Sequence, residues 1–242
     1  MFQEFWPFLF ACTLVTSIIS AVVGMSGGVI LLVIMSLFMP FHLVIPLHGT
    51  VQLFSNGIRA WLLRKSVRKD FLIPFLLGIP LGLAPALWII GEFHYERWAF
   101  FFIATLIVYS LFRPKKWPPL KMNPRWFFVH GIIAAFFCLF VGAVGPFLAP
   151  FFIRDDLSKE EVVSTKAGMQ TFIHLVKIPS FFYLGFSYGQ YWPQILILTM
   201  AAWIGTKIGI RVLGNLDQRL FEKLFKLFLS LAAIRLYYKV FV

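Results

Sequence analysis

Long apolar runs separated by short polar connectors dominate the chain. A helix needs about 20 mostly apolar residues to cross the hydrocarbon core of a membrane. Six runs approach or reach this length: residues 43–63, 71–90, 97–113, 160–180, 191–211 and 219–240. The pattern predicts an all-α integral membrane protein that crosses the bilayer several times.

Two further apolar regions are longer than one crossing, and each contains a glycine cluster. Residues 5–40 are interrupted at VGMSGG, and residues 126–153 are interrupted at VGAVGP. A glycine in a helix interior costs about 0.5–1 kcal/mol relative to alanine. We therefore expect each region to form one helix followed by a shorter one. The sequence leaves open whether the short helices, 28–40 and 145–153, span the membrane.

The composition agrees with a membrane location. Hydrophobic residues make up 60% of the chain and charged residues 13%, and the mean hydropathy is +0.84. The net charge of +12 does not indicate a nucleic-acid partner, because the basic residues lie between apolar runs and not on one stripe. Cys12 and Cys138 lie inside apolar runs without a neighbouring ligand, so no metal, redox site or cofactor is expected.

The basic residues predict the orientation of the chain. The connector at 64–70 has four Lys/Arg and the connector at 113–125 has five, whereas the turns at 39–42 and 185–192 have none. Under the positive-inside rule the two basic connectors are cytoplasmic. This places both termini on the extracytoplasmic side of the cell (inner) membrane. The first apolar run lacks a basic segment before it, so we expect it to be retained rather than cleaved.

The chain also resembles itself at a fixed offset. A shift of 118 residues pairs Gly24 with Gly142, Gly27 with Gly145, Gln52 with Gln170 and Arg59 with Lys177, and a shift of 123 pairs Gly82 with Gly205. We predict two inverted repeats, each a glycine-broken helix pair followed by three transmembrane helices. The first repeat covers residues 1–115, the cytoplasmic linker 116–125 and the second repeat 126–242. Many secondary transporters have this layout.

Three motifs resemble those of a known family. VGMSGGVILL, GPFLAPFF and EEVVSTKAGMQTFIHLVKIPSFFYLGF are similar to the paired signatures of the sulfite exporter TauE/SafE family, and the likeness covers essentially the whole chain. Relatives often have a glycine at the position of Ser26. The resemblance implies a transporter of sulfite, organosulfonates or related small anions.

The helix breaks are the first candidates for an anion site. Broken helices within a membrane are tolerated where their backbone lines a cavity, and the first N–H groups of a helix favour an anion. The candidates here are Gly24, Ser26, Gly27 and Gly28 in the first break and Gly145 in the second.

Polar residues at intervals of three and four form a face on one helix of each repeat. The first face is His48, Gln52, Ser55, Asn56 and Arg59, and the second is Lys166, Gln170, His174 and Lys177. Thr50 and Thr171 are further candidate donors on the same two helices. Gln52 and Gln170 lie near the middle of their helices. Such residues bind substrate in some proteins and join neighbouring helices in others, and both roles stay open for Ser55, Asn56 and Thr171.

The charged members of these faces differ in what they indicate. A charge at membrane depth costs on the order of 3 kcal/mol or more, which makes Lys166 the best candidate to pair with an anion. Arg59 and Lys177 are near enough to helix ends to reach the membrane surface instead. His174 is either an ordinary hydrogen-bond partner or a group that couples transport to protons.

Together these features favour a secondary transporter that exports a small sulfur-containing anion by alternating access. An anion channel and a non-transporting membrane subunit remain alternatives. A membrane-embedded enzyme is disfavoured, because the apolar segments contain no acidic pair, HExxH or GxSxG. The expected partners are the small anion and the lipid bilayer, with protons or a counter-ion as candidate coupling ions. The identity of the anion and the oligomeric state stay open.

Overall fold

The computed structural model describes residues 5–23, 27–92, 122–152 and 156–212, with single helical positions at 101, 105, 108, 230, 234, 237 and 238. Helices account for most of these residues. No β-strand occurs within these ranges, which confirms the predicted all-α class.

The described helices follow the apolar runs closely. They are α1 Trp6–Val23, α2 Gly27–Phe38, α3 Phe41–Leu62, α4 Lys69–Glu92, α5 Phe127–Val141, α6 Gly145–Leu148, α7 Lys159–Tyr183 and α8 Trp192–Val212. Four of the six predicted full-length helices are thereby confirmed to within three residues at each end. The other two, at 97–113 and 219–240, lie outside the described residues except for the single helical positions.

Both glycine-rich regions form a long helix followed by a short one, as predicted. In the first region α1 ends at Val23 and α2 begins at Gly27. In the second region Gly142 ends α5 in the left-handed conformation, with φ of 79°, and its N–H donates to the Cys138 carbonyl at 3.1 Å. The 12 residues of α2 extend about 18 Å, which is less than the hydrocarbon thickness of about 30 Å. Helix α2 therefore does not span the membrane alone.

The polarity of the molecule is that of a membrane protein. Three segments, Lys69–Ile90, Pro124–Val141 and Tyr188–Arg211, are long and apolar enough to cross a bilayer. Large apolar side chains such as Leu77 and Phe182 are 65% and 73% exposed, and polar side chains of α3 and α7 are buried. Helices α3 and α7, with 22 and 25 residues, are also long enough to cross the bilayer. They are not among the three apolar segments because their polar faces lower their mean hydropathy.

The helices pack in pairs, and each pair joins one helix from the first half of the chain to one from the second half. Helix α3 lies against α7, α1 against α8, and α4 against α5. Gly82 of α4 leaves room for the backbone of Ile132 in α5, and Gly205 of α8 leaves room for the backbone of Leu14 in α1. Ile132 and Leu14 are 118 positions apart (132 − 14), and the two glycines are 123 apart (205 − 82). The predicted repeat requires these two contacts to be equivalent, while its inverted orientation in the membrane stays a prediction.

One end of α7 is fixed to the loop between α3 and α4. The Ser158 hydroxyl accepts from the Glu161 N–H at 3.2 Å, and the Glu161 carboxylate accepts from the Ser158 N–H at 2.8 Å, forming a capping box. The Arg68 N–H donates to the Thr165 hydroxyl at 2.9 Å, and its guanidinium lies 3.5 Å from Glu161. The start of α7 and residues 64–68 therefore lie on the same side of the molecule.

Candidate anion-binding site

A small cavity lies where the two helix breaks meet the central pair of helices. Its lining residues come from both halves of the chain: Ser20, Gly28, Val29, His48, Gln52, Ala143, Val144, Gly145, Gln170 and His174. The space open to the centre of a water molecule is about 20 Å³, which is room for about one water. The structure thus brings six of the predicted site residues to one narrow polar cavity.

The two glutamines are packed against the two helix breaks. A Cβ added to Gly28 would lie 2.9 Å from Oε1 of Gln52, and a Cβ added to Gly145 would lie 2.8 Å from Nε2 of Gln170. Glycine at both positions therefore lets an amide side chain approach the backbone. Each half of the chain supplies one such glutamine and one such break to the cavity.

Two imidazoles also lie at the cavity. Nε2 of His48 lies 2.7 Å from the carbonyl oxygen of Gly28, and because a carbonyl only accepts, Nε2 carries the proton. The rings of His48 and His174 are 5.9 Å apart and nearly perpendicular. The Nδ1 atoms of both histidines are buried, and neither has a hydrogen-bond partner within the described part of the chain.

The first turn of α2 is one source of backbone donors at the site. Gly28 and Val29, in its first turn, line the cavity. Amides in the first turn of a helix lack carbonyl partners in that helix and carry partial positive charge. Helix α6 has four residues, too few to add a comparable dipole. Gly24 and Ser26, which were also predicted to contribute, lie outside the described residues.

Three predicted residues of the described ranges, Thr50, Thr171 and Gly27, do not line the cavity. The Thr50 hydroxyl donates to the Pro46 carbonyl at 2.9 Å, and the Thr171 hydroxyl donates to the Ala167 carbonyl at 2.7 Å, so each is satisfied by its own helix. Gly27 packs against the Thr16 backbone of α1. Thr50 and Thr171 therefore bond within their own helices, and Gly27 allows α2 to pack closely against α1.

Polar residues of α3 connect the cavity to other helices. The Asn56 amide donates to the Gln52 backbone carbonyl at 2.9 Å and to Gln52 Oε1 at 3.3 Å. The Ser55 hydroxyl lies 3.2 Å from the Thr206 hydroxyl of α8. Asn56 thus helps to orient Gln52, and Ser55 joins α3 to α8.

Three cationic side chains are buried in the helix bundle. Arg59, Lys166 and Lys177 are each at most 1% exposed, so neither Arg59 nor Lys177 extends to the surface. Lys177 donates to the Gly142 carbonyl at 2.5 Å, and Arg59 donates to Asn56 at 3.3 Å and Ser55 at 3.4 Å. Nζ of Lys166 has no hydrogen-bond partner among the described residues.

The buried cations of α3 and α7 have no acidic partner within the described part of the chain. The ion pairs of the described residues join Arg68 to Asp70 and Glu161, next to the loop at 64–68. None involves a buried cation of α3 or α7. Because an unpaired buried charge is costly, this arrangement favours an anionic ligand.

Sequence reasoning missed Ser20, which lines the cavity from α1. Four small polar residues of α1 are buried on one face: Thr13, Thr16, Ser17 and Ser20. Their spacing of three, one and three is the same type of signal that identified the faces of α3 and α7. The signal was therefore present in the sequence.

These features define a polytopic helical membrane protein with a cationic interior and a polar cavity between two broken helices. A sequence model of the sulfite exporter TauE/SafE family matches residues 9–236. The chain belongs to this family. Membership indicates a membrane transporter of sulfur-containing anions rather than an enzyme. No curated protein and no solved structure matches the chain.

Proposed function

We propose that the protein is a secondary transporter that exports a small sulfur-containing anion, sulfite or an organosulfonate such as sulfoacetate, across the cytoplasmic membrane. The observation that carries the proposal is the cavity itself: amide and imidazole groups from both halves surround it. Buried cations that have no acidic partner among the described residues lie on the same two central helices.

The donors around the cavity suit an oxyanion. Sulfite and sulfonate groups carry three oxygens that accept hydrogen bonds, and charge-assisted hydrogen bonds are about twice as strong as neutral ones. The amide groups of Gln52 and Gln170 and the first backbone amides of α2 supply donors from different directions. The dipole of one helix contributes only about 0.3–2 kcal/mol, so the side-chain donors are needed as well.

The small volume of the cavity supports alternating access. The space for about one water is too small for an organosulfonate, so the surrounding helices must separate when substrate enters. Helix pairs α4–α5 and α1–α8 join the two proposed repeats, and their close contacts at Gly82 and Gly205 permit sliding with little side-chain rearrangement. In this mechanism repeats 1–115 and 126–242 rock about the cavity.

The proposal includes an orientation. The linker at 116–125 is cytoplasmic and both termini are extracytoplasmic, because the connectors richest in Lys and Arg then face the cytoplasm. Cysteine accessibility at an engineered terminal site, measured with a membrane-impermeant reagent on intact cells, tests this orientation. Labelling only after the membrane is opened would contradict it.

Transport in proteoliposomes tests the function. Purified protein is reconstituted and offered sulfite, sulfoacetate, sulfate, acetate and the zwitterion taurine. We expect saturable uptake of sulfite or sulfoacetate, accelerated by the same anion trapped inside the vesicles. Flux that does not saturate and shows no counterflow would instead identify a channel, and absence of flux for every sulfur-containing anion would contradict transport.

A further inference from the structure

We propose that Arg59 and Lys166 form a second anion-binding site, separate from the central cavity and located on the side of the loop at 64–68. The site would hold the same sulfur-containing anion before it enters the cavity or after it leaves. This inference rests on the proposed anion transport and adds a second binding position to it.

The position of the pair follows from the two central helices. Arg59 is seven residues beyond Gln52 in α3, and Lys166 is four residues before Gln170 in α7, which correspond to about 10 Å and about 6 Å along the helix axes. The Arg68 N–H bonds to the hydroxyl of Thr165, next to Lys166. Both cations therefore lie between the central cavity and the loop at 64–68.

The two side chains lack the partners that buried cations require. Lys166 is 1% exposed, and its Nζ has no hydrogen-bond partner in the described ranges. Nε of Arg59 is unpartnered in the same ranges, and its other nitrogens make only long bonds of 3.3 and 3.4 Å. Arg59 and Lys166 lie on the packed helix pair α3–α7. A bound anion would offset their positive charge and satisfy the free donors.

A chain of hydrogen bonds connects this pair to the central cavity. Arg59 donates to Oδ1 of Asn56, and Nδ2 of Asn56 donates to Oε1 of Gln52, each at 3.3 Å. Gln52 in turn lines the cavity. Hydrogen-bonded polar side chains thus connect Arg59 to the cavity.

The corresponding positions in the other half are occupied differently. At the offset of 118, Lys166 corresponds to His48 (166 − 48) and Lys177 to Arg59 (177 − 59). His48 bonds to the Gly28 carbonyl, and Lys177 bonds to the Gly142 carbonyl. Because backbone carbonyls already satisfy that pair, the free cationic donors among the residues that the structure describes lie on one side of the cavity. The repeat therefore does not predict an equivalent anion site at His48 and Lys177.

Equilibrium dialysis of the purified full-length chain with radiolabelled sulfoacetate tests the proposal. We expect two anions per wild-type chain and one per chain in Lys166→Met and in Arg59→Gln. Lys166→Arg keeps the charge and should retain two. Gln170→Leu alters the central cavity and should leave the Arg59–Lys166 site as the remaining one. Lys207→Met is the matched control, since Nζ of Lys207 lies over the Trp203 ring at 3.9 Å and should not affect binding.

The outcomes separate this inference from the proposed function. One anion per wild-type chain, unchanged in Lys166→Met and Arg59→Gln, would overturn the second site while transport stands. Complete loss of binding in Lys166→Met, with the variant still monodisperse and as heat-stable as Lys207→Met, would place Lys166 in the central site and also overturn it. Arg59→Gln decides the matter if Lys166→Met fails to fold. No binding and no transport by the wild-type chain would contradict both proposals.

Discussion

Nε2 of His48 donates a hydrogen bond to the carbonyl oxygen of Gly28 across 2.7 Å, and this bond ties the central helix α3 to the first turn of α2. The two residues are 20 positions apart, and both line the cavity. The position of the α2 amides at the site therefore depends on a side chain of the helix that also carries Gln52.

Replacement of His48 by leucine should lower stability. The Gly28 carbonyl would lose its donor, and an unsatisfied buried acceptor costs about 1–3 kcal/mol. Thermal unfolding in detergent measures the change, with His48→Gln as the control that retains a donor. Equal stability of His48→Leu and the wild-type chain would show that the bond does not hold α2 in place.

The two glutamines should contribute similarly to transport. Gln52→Ala and Gln170→Ala each remove one amide from the cavity, and a hydrogen bond to a charged group is worth about 1.5–3 kcal/mol. We expect each variant to lose at least about tenfold in apparent affinity for the transported anion, measured as the KM for uptake into proteoliposomes. A large effect at one position and none at the other would mean that the site is asymmetric.

His174 is the residue with which to test proton coupling. Its ring faces His48 in the cavity, and histidine changes its charge more readily near neutral pH than other side chains. If transport is coupled to protons through this ring, His174→Gln should flatten the rate profile between about pH 5.5 and 8. An unchanged profile with an unchanged rate would exclude this role.

Gly82 and Gly205 should be equally sensitive to an added methyl group. A Cβ at Gly82 would clash with the Ile132 backbone and one at Gly205 with the Leu14 backbone, and overpacking of this kind costs about 1–3 kcal/mol. Thermal unfolding of Gly82→Ala and Gly205→Ala measures the cost. Gly189→Ala is the control, because a Cβ there meets no atom within 4 Å. Strongly unequal losses would argue against equivalent halves.

The capping box of α7 should make part of the stability pH-dependent. Ser158→Ala removes the cap and should cost about 1 kcal/mol. The hydrogen bond from the Ser158 N–H lowers the pKa of the Glu161 carboxyl. Because the folded-state pKa is depressed, the contribution of Glu161 is complete above its ordinary range and is lost as the pH falls through the lowered value. Unfolding followed against pH should show a weaker acid dependence in Glu161→Gln than in the wild-type chain.

The positions of the helices could be predicted because their causes are local. Apolar runs and glycine clusters determine where α1 to α5, α7 and α8 begin and end. Helix α5 ends at Gly142 because this residue has a left-handed backbone conformation, which glycine adopts readily. The roles of adjacent residues could not be predicted in this way. Gly27 packs against α1 whereas Gly28 faces Gln52, a difference set by how three helices meet.

The polar faces show the same limit. Spacing correctly indicated a polar face on α3 and α7, but Thr50 and Thr171 bond to carbonyls of their own helices, an option that spacing alone does not reveal. Whether Arg59 and Lys177 reach the surface depends on neighbouring helices, and the structure shows both buried.

The buried cations also bear on which ions the protein excludes. Arg59, Lys166 and Lys177 are buried in the helix bundle, and positive charge there disfavours the entry of sodium, potassium and hydronium. The resting voltage, negative inside, pushes each negative charge outward with about 2.3 kcal/mol per 100 mV. Under the proposed export, this voltage acts in the direction of transport.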